Sequence, residues 1–241
     1  SGSEIMKSFT LIPSVYLKEN WATVFKYFNL FLGMWNSLKV AVPSTLLCAY
    51  FSAMTAYALA MYKFKGNKVL FMTILIFMMI PGQLGLIGFY NLCTKLHLVN
   101  SYIPLIIPAI ASPGTVFFLR QYVLSVMPPS LIEAARIDGS GEFHTFNNIV
   151  LPLMKPAIAV QAIFTFVSSW NNYFVPALIL HNDKKKTLPI LIAQLRAADW
   201  LKFDMGQVYV MIAFSIFPVI IIYLILSRHI VQGVALGSVK G

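Results

Sequence analysis

The chain has 241 residues, 59% of them hydrophobic and 11% charged, with a mean hydropathy of +0.76, which excludes an ordinary soluble domain and marks an integral membrane protein. The two cysteines, Cys48 and Cys93, lie far apart in or beside apolar stretches, which excludes a disulfide framework or thiolate metal site and leaves them packing roles. The net charge of +10 is spread over connecting segments with no basic stripe interleaved with aromatics, so anionic membrane lipid, and no nucleic acid, is the expected electrostatic partner.

Residues 1–35 open with SGSEIMKSFTLIPSVYLKENW and contain no initiator methionine, no apolar core of signal-peptide length and no span. The expectation is that the natural chain begins earlier and that these residues lie at the interface, with Trp21, Tyr27, Phe28 and Phe31 at headgroup level. A bilayer core is crossed by about 20 mostly apolar residues in helix, and five stretches approach that length. Residues 36–61 hold one charge, Lys39, close enough to the end to snorkel. Residues 69–90 are uncharged, but Pro81-Gly82 followed by Gln83 predicts a break with freed backbone groups. Residues 102–119 carry Pro104, Pro108 and Pro113, which predicts an irregular helix supported by its neighbours. Residues 157–180 and 205–226 are uncharged throughout. The predicted class is an all-α membrane protein, one transmembrane domain with five visible spans.

Between the third and fourth spans lies PPSLIEAARIDGSGEFHTFNNIVLP, residues 128–152, with Glu133, Arg136, Asp138 and Glu142 charged and His144 able to add a fifth charge. Lipid offers such a segment nothing, so it is expected to meet a soluble partner. Ser130 followed by Glu133 has capping-box spacing, predicting a helix from Leu131, and Asp138-Gly139 supplies its stop, Gly139 being free to turn left-handed. Ser140 is placed to cap a second short helix, 141–150, with Glu142 in the first turn where the dipole favours an anion. Ala134 and Ala135 are small enough to let another surface approach closely, and are also simply good helix formers. Phe143, Phe146 and Val150 form an apolar stripe that suits either the spans or a partner. Glu133 fits both the cap and a partner contact.

In the fourth stretch Gln161, Thr165, Ser168 and Asn172 recur at intervals of four, three and four, with Ser169 bordering the strip and Asn171 to one side. Such a strip either bonds neighbouring helices or lines a water-filled path. Hydroxyls and amides that donate and accept without charge suit a neutral polyhydroxylated solute.

Lys/Arg bias leaves orientation open. Eight basic residues fall on the side of the 128–152 segment and ten on the other, where Lys184-Lys185-Lys186 reads as a solvated loop tip. No Asp or Glu lies within the five stretches, which disfavours an ion-coupled secondary transporter. His97, His144, His181 and His229 scatter over different loops and ends, which disfavours a membrane-embedded enzyme. No Walker A pattern appears, so any ATP hydrolysis belongs to another chain.

The run EAARIDG from Glu133 to Gly139, nine further residues and then IVLP resembles the EAA loop of bacterial ABC-importer membrane subunits. NSLKVAVPSTLLCAYFSAMTAYALAMYKFKG, MMIPGQ, FFLRQYVLSVMPPSLIEAARIDGSGEF, FVSSWNNYFVPALIL and VQGVALGSVKG extend the likeness to the maltose-type sugar permease group over nearly the whole chain. The resemblance implies a cytoplasmic loop, 123–155, that docks on an ATP-binding subunit as a coupling helix through Glu133, Ala134, Ala135, Asp138, Gly139 and Phe143. It implies six spans, of which the first is absent here, and an external position for residues 1–35. It further implies a cytoplasmic tail, 228–241, reaching the ATPase at Gln232 and Gly233, and a substrate path through Thr165, Ser169 and Asn172 with Ser112 and Thr115, to which the strip adds Ser168. The implied partners are a second homologous permease, a dimer of ATP-binding subunits that hold ATP and Mg, an extracellular solute-binding protein and a sugar. The implied location is a prokaryotic inner or plasma membrane, and this chain is itself no enzyme and holds no cofactor or metal.

Overall fold

One long helix, α2 (Leu30–Met61), organises the protein, preceded by a short α1 (Leu17–Tyr27). The computed structural model describes residues 15–197 and 205–237, the side chains of Tyr27 and of residues 230–237 excepted. Gly33, Ser37, Ala41, Ser44, Cys48, Ser52 and Ala56 recur along α2 at intervals of three or four and are all buried. Small side chains at this spacing let neighbouring helices approach closely, which is how helices associate where lipid removes the usual hydrophobic drive. Against this helix pack α6 (Pro113–Val126) and α9 (Lys155–Trp170), and α12 (Met205–Gly237) packs on α9.

Asn29 caps α2, its Oδ1 accepting from Leu32 N at 3.0 Å, so residues 30–35, expected in the interfacial segment, belong to the first span. The Pro81 break is present. α3 (Asn67–Met79) and the Gly82–Lys95 segment, a 3₁₀ turn followed by α4 (Leu86–Lys95), meet at 87°. The third span is irregular as its prolines require, with α5 (Ile103–Ile106) and a 3₁₀ turn (Ile107–Ile110) leading into α6. Ser44 Oγ donates to the Leu105 carbonyl at 3.3 Å, so α2 supplies a partner to backbone that a regular helix would have satisfied itself.

The fourth stretch is not one helix. α9 ends at Trp170, and α10 (Phe174–Ile179) follows a break at 171–173. Pro176 has no N–H to offer the Asn172 carbonyl, and the Asn172 side chain instead accepts from Val175 N at 3.4 Å, starting a new turn. α12 continues to Gly237, so residues 228–237 extend the last helix rather than form a separate tail.

The 180–188 connection into α11 (Leu188–Arg196) is exposed over residues 181–184, as expected of a solvated tip, but its backbone is anchored to the bundle. Asn36 Nδ2 donates to the carbonyls of Lys184 at 2.9 Å and Lys186 at 3.0 Å, and Ser37 Oγ accepts from Leu188 N at 2.9 Å. Asn100 Oδ1 accepts from His181 N and Asn182 N, Lys185 Nζ reaches the Asn100 carbonyl at 2.6 Å, and Tyr102 donates to the Lys185 carbonyl. Among the described residues three helices are long and apolar enough to cross a membrane, and the count rises to at most five if each of the two bent pairs, Asn67–Met79 with Gly82–Lys95 and Glu142–Leu153 with Lys155–Trp170, is taken as one span.

Candidate functional site

The polar segment folds as two short helices at one end of the bundle, α7 (Pro129–Ile137) and α8 (Glu142–Leu153). The capping box is absent. Pro128 occupies the cap position, Pro129 is the first helical residue and no side chain caps the end, because proline's fixed φ suits the first turn and carries Ser130 inside the helix. Glu133 is thereby released from capping: it is exposed, with no hydrogen bond or ion pair among the described residues. The predicted stop is made by Gly139 at φ +77°, with Ser140 N bonded to the Ala135 carbonyl at 2.9 Å and Gly139 N to Arg136 at 3.0 Å, a Schellman turn. Ser140 does not cap α8 either. Gly141 stands at the cap, and the Ser140 hydroxyl bonds Thr145 Oγ1 at 2.8 Å.

The two helices divide cleanly into an inner and an outer face. Ile132, Phe146 and Val150 are buried in one cluster with Ala53, Ala56 and Tyr57 of α2 and Leu119 and Val123 of α6. Phe146 and Val150 thus face the spans, and the stripe predicted from spacing parts from Phe143, which is 73% exposed. Glu133, Ala134, Asp138 and Gly139 are exposed, while Ala135 is only 6% exposed and belongs to the inner face. Sequence reasoning missed Ile137, 85% exposed; its place four residues after Glu133, off the Ile132–Ala135 face, was the available signal. Within α8 the ladder widens to π spacing over Thr145–Val150, where Pro152 has no N–H for the Asn148 carbonyl.

One carboxylate joins three elements beneath this face. Glu142 Oε1 accepts from Arg136 Nε at 3.2 Å and lies 3.1 Å from its Nη2, while the Tyr62 hydroxyl donates to Oε2. Arg136 also lies over the Tyr62 ring at 5.0 Å, and the Tyr62 and Tyr57 hydroxyls are 3.1 Å apart. Tyr62 and Glu142 together hold the Arg136 guanidinium above its already high pKa, the tyrosine contact first. An apolar cavity of about 460 Å³ opens beside them, bounded by Tyr57, Phe64, Phe143 and Phe146.

The predicted path residues fall into two groups. Cys48 Sγ donates to Thr115 Oγ1 at 3.5 Å and lies 3.6 Å from Thr165 Oγ1, and Ser112 Oγ donates to Thr115 at 2.9 Å. These side chains bond one another across α2, α6 and α9, with Cys48, read from sequence as mere packing, at the hub. Ser168 lies exposed further along α9 and Asn172 in the break that follows it, and Ser169 is half-buried. A separate cavity of about 650 Å³ is lined by Trp170, Asn171, Tyr173, Arg196 and Ser215 and by none of the strip residues, and the Trp170 indole donates to the Ser215 carbonyl at 3.1 Å. Gln232 and Gly233 lie in the last turns of α12, outside the residues whose side chains are described.

Known proteins resemble this chain in sequence and in fold. The chain is 39% identical over 236 residues to the arabinooligosaccharides transport system permease protein AraQ of Bacillus subtilis, covering 95% of this chain and 81% of that protein. It is 32% identical to a probable starch degradation products transport system permease protein, AmyC, of Thermoanaerobacterium thermosulfurigenes, over 98% of this chain and 86% of that protein. A crystal structure of a bacterial ABC transporter involved in the import of the acidic polysaccharide alginate superposes with a TM-score of 0.79 at 24% identity, over 95% of this chain and 85% of that one, and shows the common fold. Residues 45–236, which contain the two-helix element, the Cys48 cluster and the path residues, match the family model, and the chain belongs to the family of binding-protein-dependent transport system inner membrane components.

Proposed function

We propose that this chain is one permease subunit of an ATP-driven, binding-protein-dependent sugar importer, with oligosaccharides as the substrate class suggested by its relatives' names. The observation that carries the coupling role is the exposed face Glu133, Ala134, Ile137, Asp138 and Phe143, carried on either side of a Schellman turn and backed by the core. An outward apolar pair flanked by carboxylates is a docking surface, because solvent and lipid each leave half of it unsatisfied. In this reading the face lies in the cytoplasm against one subunit of an ATPase dimer that holds ATP and Mg, α12 ends on the same side, and a second permease completes the translocation path. An external binding protein delivers the sugar, and closure of the ATPase dimer rocks the helices as rigid bodies.

Ile137→Asp tests the docking face. A fully exposed residue is substituted at little cost to the fold, whereas loss of a central apolar anchor weakens an interface by about tenfold or more. Purification of the intact complex should therefore recover the second permease at normal yield with little ATPase. Full retention of the ATPase would sink the assignment.

For the solute path, the exposed Ser168 and Asn172 and the half-buried Ser169 offer hydrogen-bonding capacity, while Ser112, Thr115 and Thr165 are engaged with one another through Cys48. Ser168→Ala and Asn172→Ala should each raise the solute concentration for half-maximal uptake by about two- to tenfold, the value of one neutral hydrogen bond. Unchanged half-saturation in both, with normal assembly, would assign the strip to helix packing.

A further inference from the structure

The turn that joins α7 to α8 is exposed, and its own bonds are the Schellman pair and the Ser140–Thr145 contact. The packing of Ile132, Phe146 and Val150 against α2 and α6, with the Tyr50 hydroxyl donating to Asn147 Oδ1 at 3.2 Å, seats the element on the bundle, which leaves its exposed turn to be tied to α2 by a polar constraint of its own. The Glu142 carboxylate supplies that constraint, since its two oxygens are taken by residues from different elements. Arg136 stands in the last turn of α7 and Glu142 in the first turn of α8, each where its helix dipole favours its charge, so the pair spans the turn without opposing either helix. Tyr62, which caps α2, reaches both partners, its hydroxyl meeting Glu142 and its ring lying beneath Arg136.

We propose that Tyr62, Arg136 and Glu142 form an adjustable clamp that sets the angle between the coupling element and the first visible span, and so positions the outer face for the ATPase. These are positioning residues. The Arg136 and Glu142 side chains remain 46% and 56% exposed, and a solvent-exposed pair of this kind contributes little to the fold as a whole. The apolar cavity beside the clamp leaves Phe143 and the Tyr62 ring room to shift without displacing packed core. A weak, half-exposed joint next to open space suits an orientation that changes during a cycle. The inference rests on the coupling role proposed above.

The test uses the complete transporter in proteoliposomes, comparing Arg136→Glu, Glu142→Arg, the double reversal and Tyr62→Phe. The readouts are solute taken up per ATP hydrolysed, ATPase subunit bound and melting temperature. Each single reversal should lower uptake per ATP by about two- to fivefold, the range of an exposed ion pair, with the ATPase still bound and melting unchanged. The double reversal should recover most of that loss, and Tyr62→Phe, which keeps the ring but drops the hydroxyl, should show a smaller loss. Unchanged ratios in the single variants, or a double reversal no better than either, would overturn the clamp. Loss of the ATPase from the single variants would also overturn it, by making Arg136 and Glu142 contact residues. Failure of the coupling role itself is read separately from Ile137→Asp, which alters none of the three clamp side chains.

Discussion

Gly139→Val in the assembled transporter is expected to reduce solute uptake by about thirtyfold or more, while the chain still inserts and pairs with its partner permease. Gly139 has φ +77°, and a Cβ added there meets no atom of this chain within 4 Å. Its intramolecular penalty is therefore purely conformational, and a β-branched residue held in the left-handed region pays on the order of 1–3 kcal/mol. The relief is to open the Schellman turn, which releases the Ser140–Ala135 and Gly139–Arg136 bonds and swings α7 away from α8. Asparagine, which tolerates the left-handed region, separates this from a second effect. If Gly139→Asn restores uptake, backbone conformation is the whole requirement; if it stays impaired, a partner surface packs directly on the glycine. Wild-type uptake by the valine variant would remove Gly139–Phe143 from the coupling path.

Asn36→Ala should destabilise the protein by about 2–6 kcal/mol, because two carbonyls that now share the Asn36 amide are left near a buried site without donors, at about 1–3 kcal/mol each. Asn36 itself is only 1% exposed and bonds Lys184 and Lys186 across 148 and 150 residues of sequence. Asn36→Asp should be worse than alanine, since it keeps the volume but sets acceptors against both carbonyls. Thermal inactivation of the detergent-solubilised complex, with proteolysis at the 180–188 connection as a local probe, measures both. Equal midpoints for wild type and Asn36→Asp would show that the amide does not hold this connection.

The two positions differ in how they can be read. Gly139 is legible from its neighbours: a glycine after a helical run, preceded by Asp138 and followed by a serine, is a local stop whatever surrounds it. Asn36 is not legible, because its role depends on carbonyls nearly 150 positions away, and in sequence it merely begins an apolar stretch. The same contrast separates success from failure within the polar segment. The Pro81 break, the irregular proline-rich third span and the Asp138-Gly139 stop are present where local rules place them. The capping box was a correct reading of spacing defeated by a stronger local rule, proline at the first helical position. Hydropathy makes the fourth stretch continuous because it ignores Pro176, whose missing N–H divides α9 from α10.

By itself the sequence determined the membrane class, the apolar stretches and the position of the two-helix element, because lipid solubility and turn chemistry depend on composition and near neighbours. Tertiary structure alone decided which face of that element turns outward, that Glu142 gathers Arg136 and Tyr62, and that Cys48 joins Thr115 to Thr165. It also decided that three lysines with every appearance of a loose tip lie along a backbone tied to α2 by Asn36 and Ser37. The physical reason is common to all of these. Small residues on α2 let helices distant in sequence come close enough for their polar groups to satisfy one another, and no local pattern specifies which helix will be met.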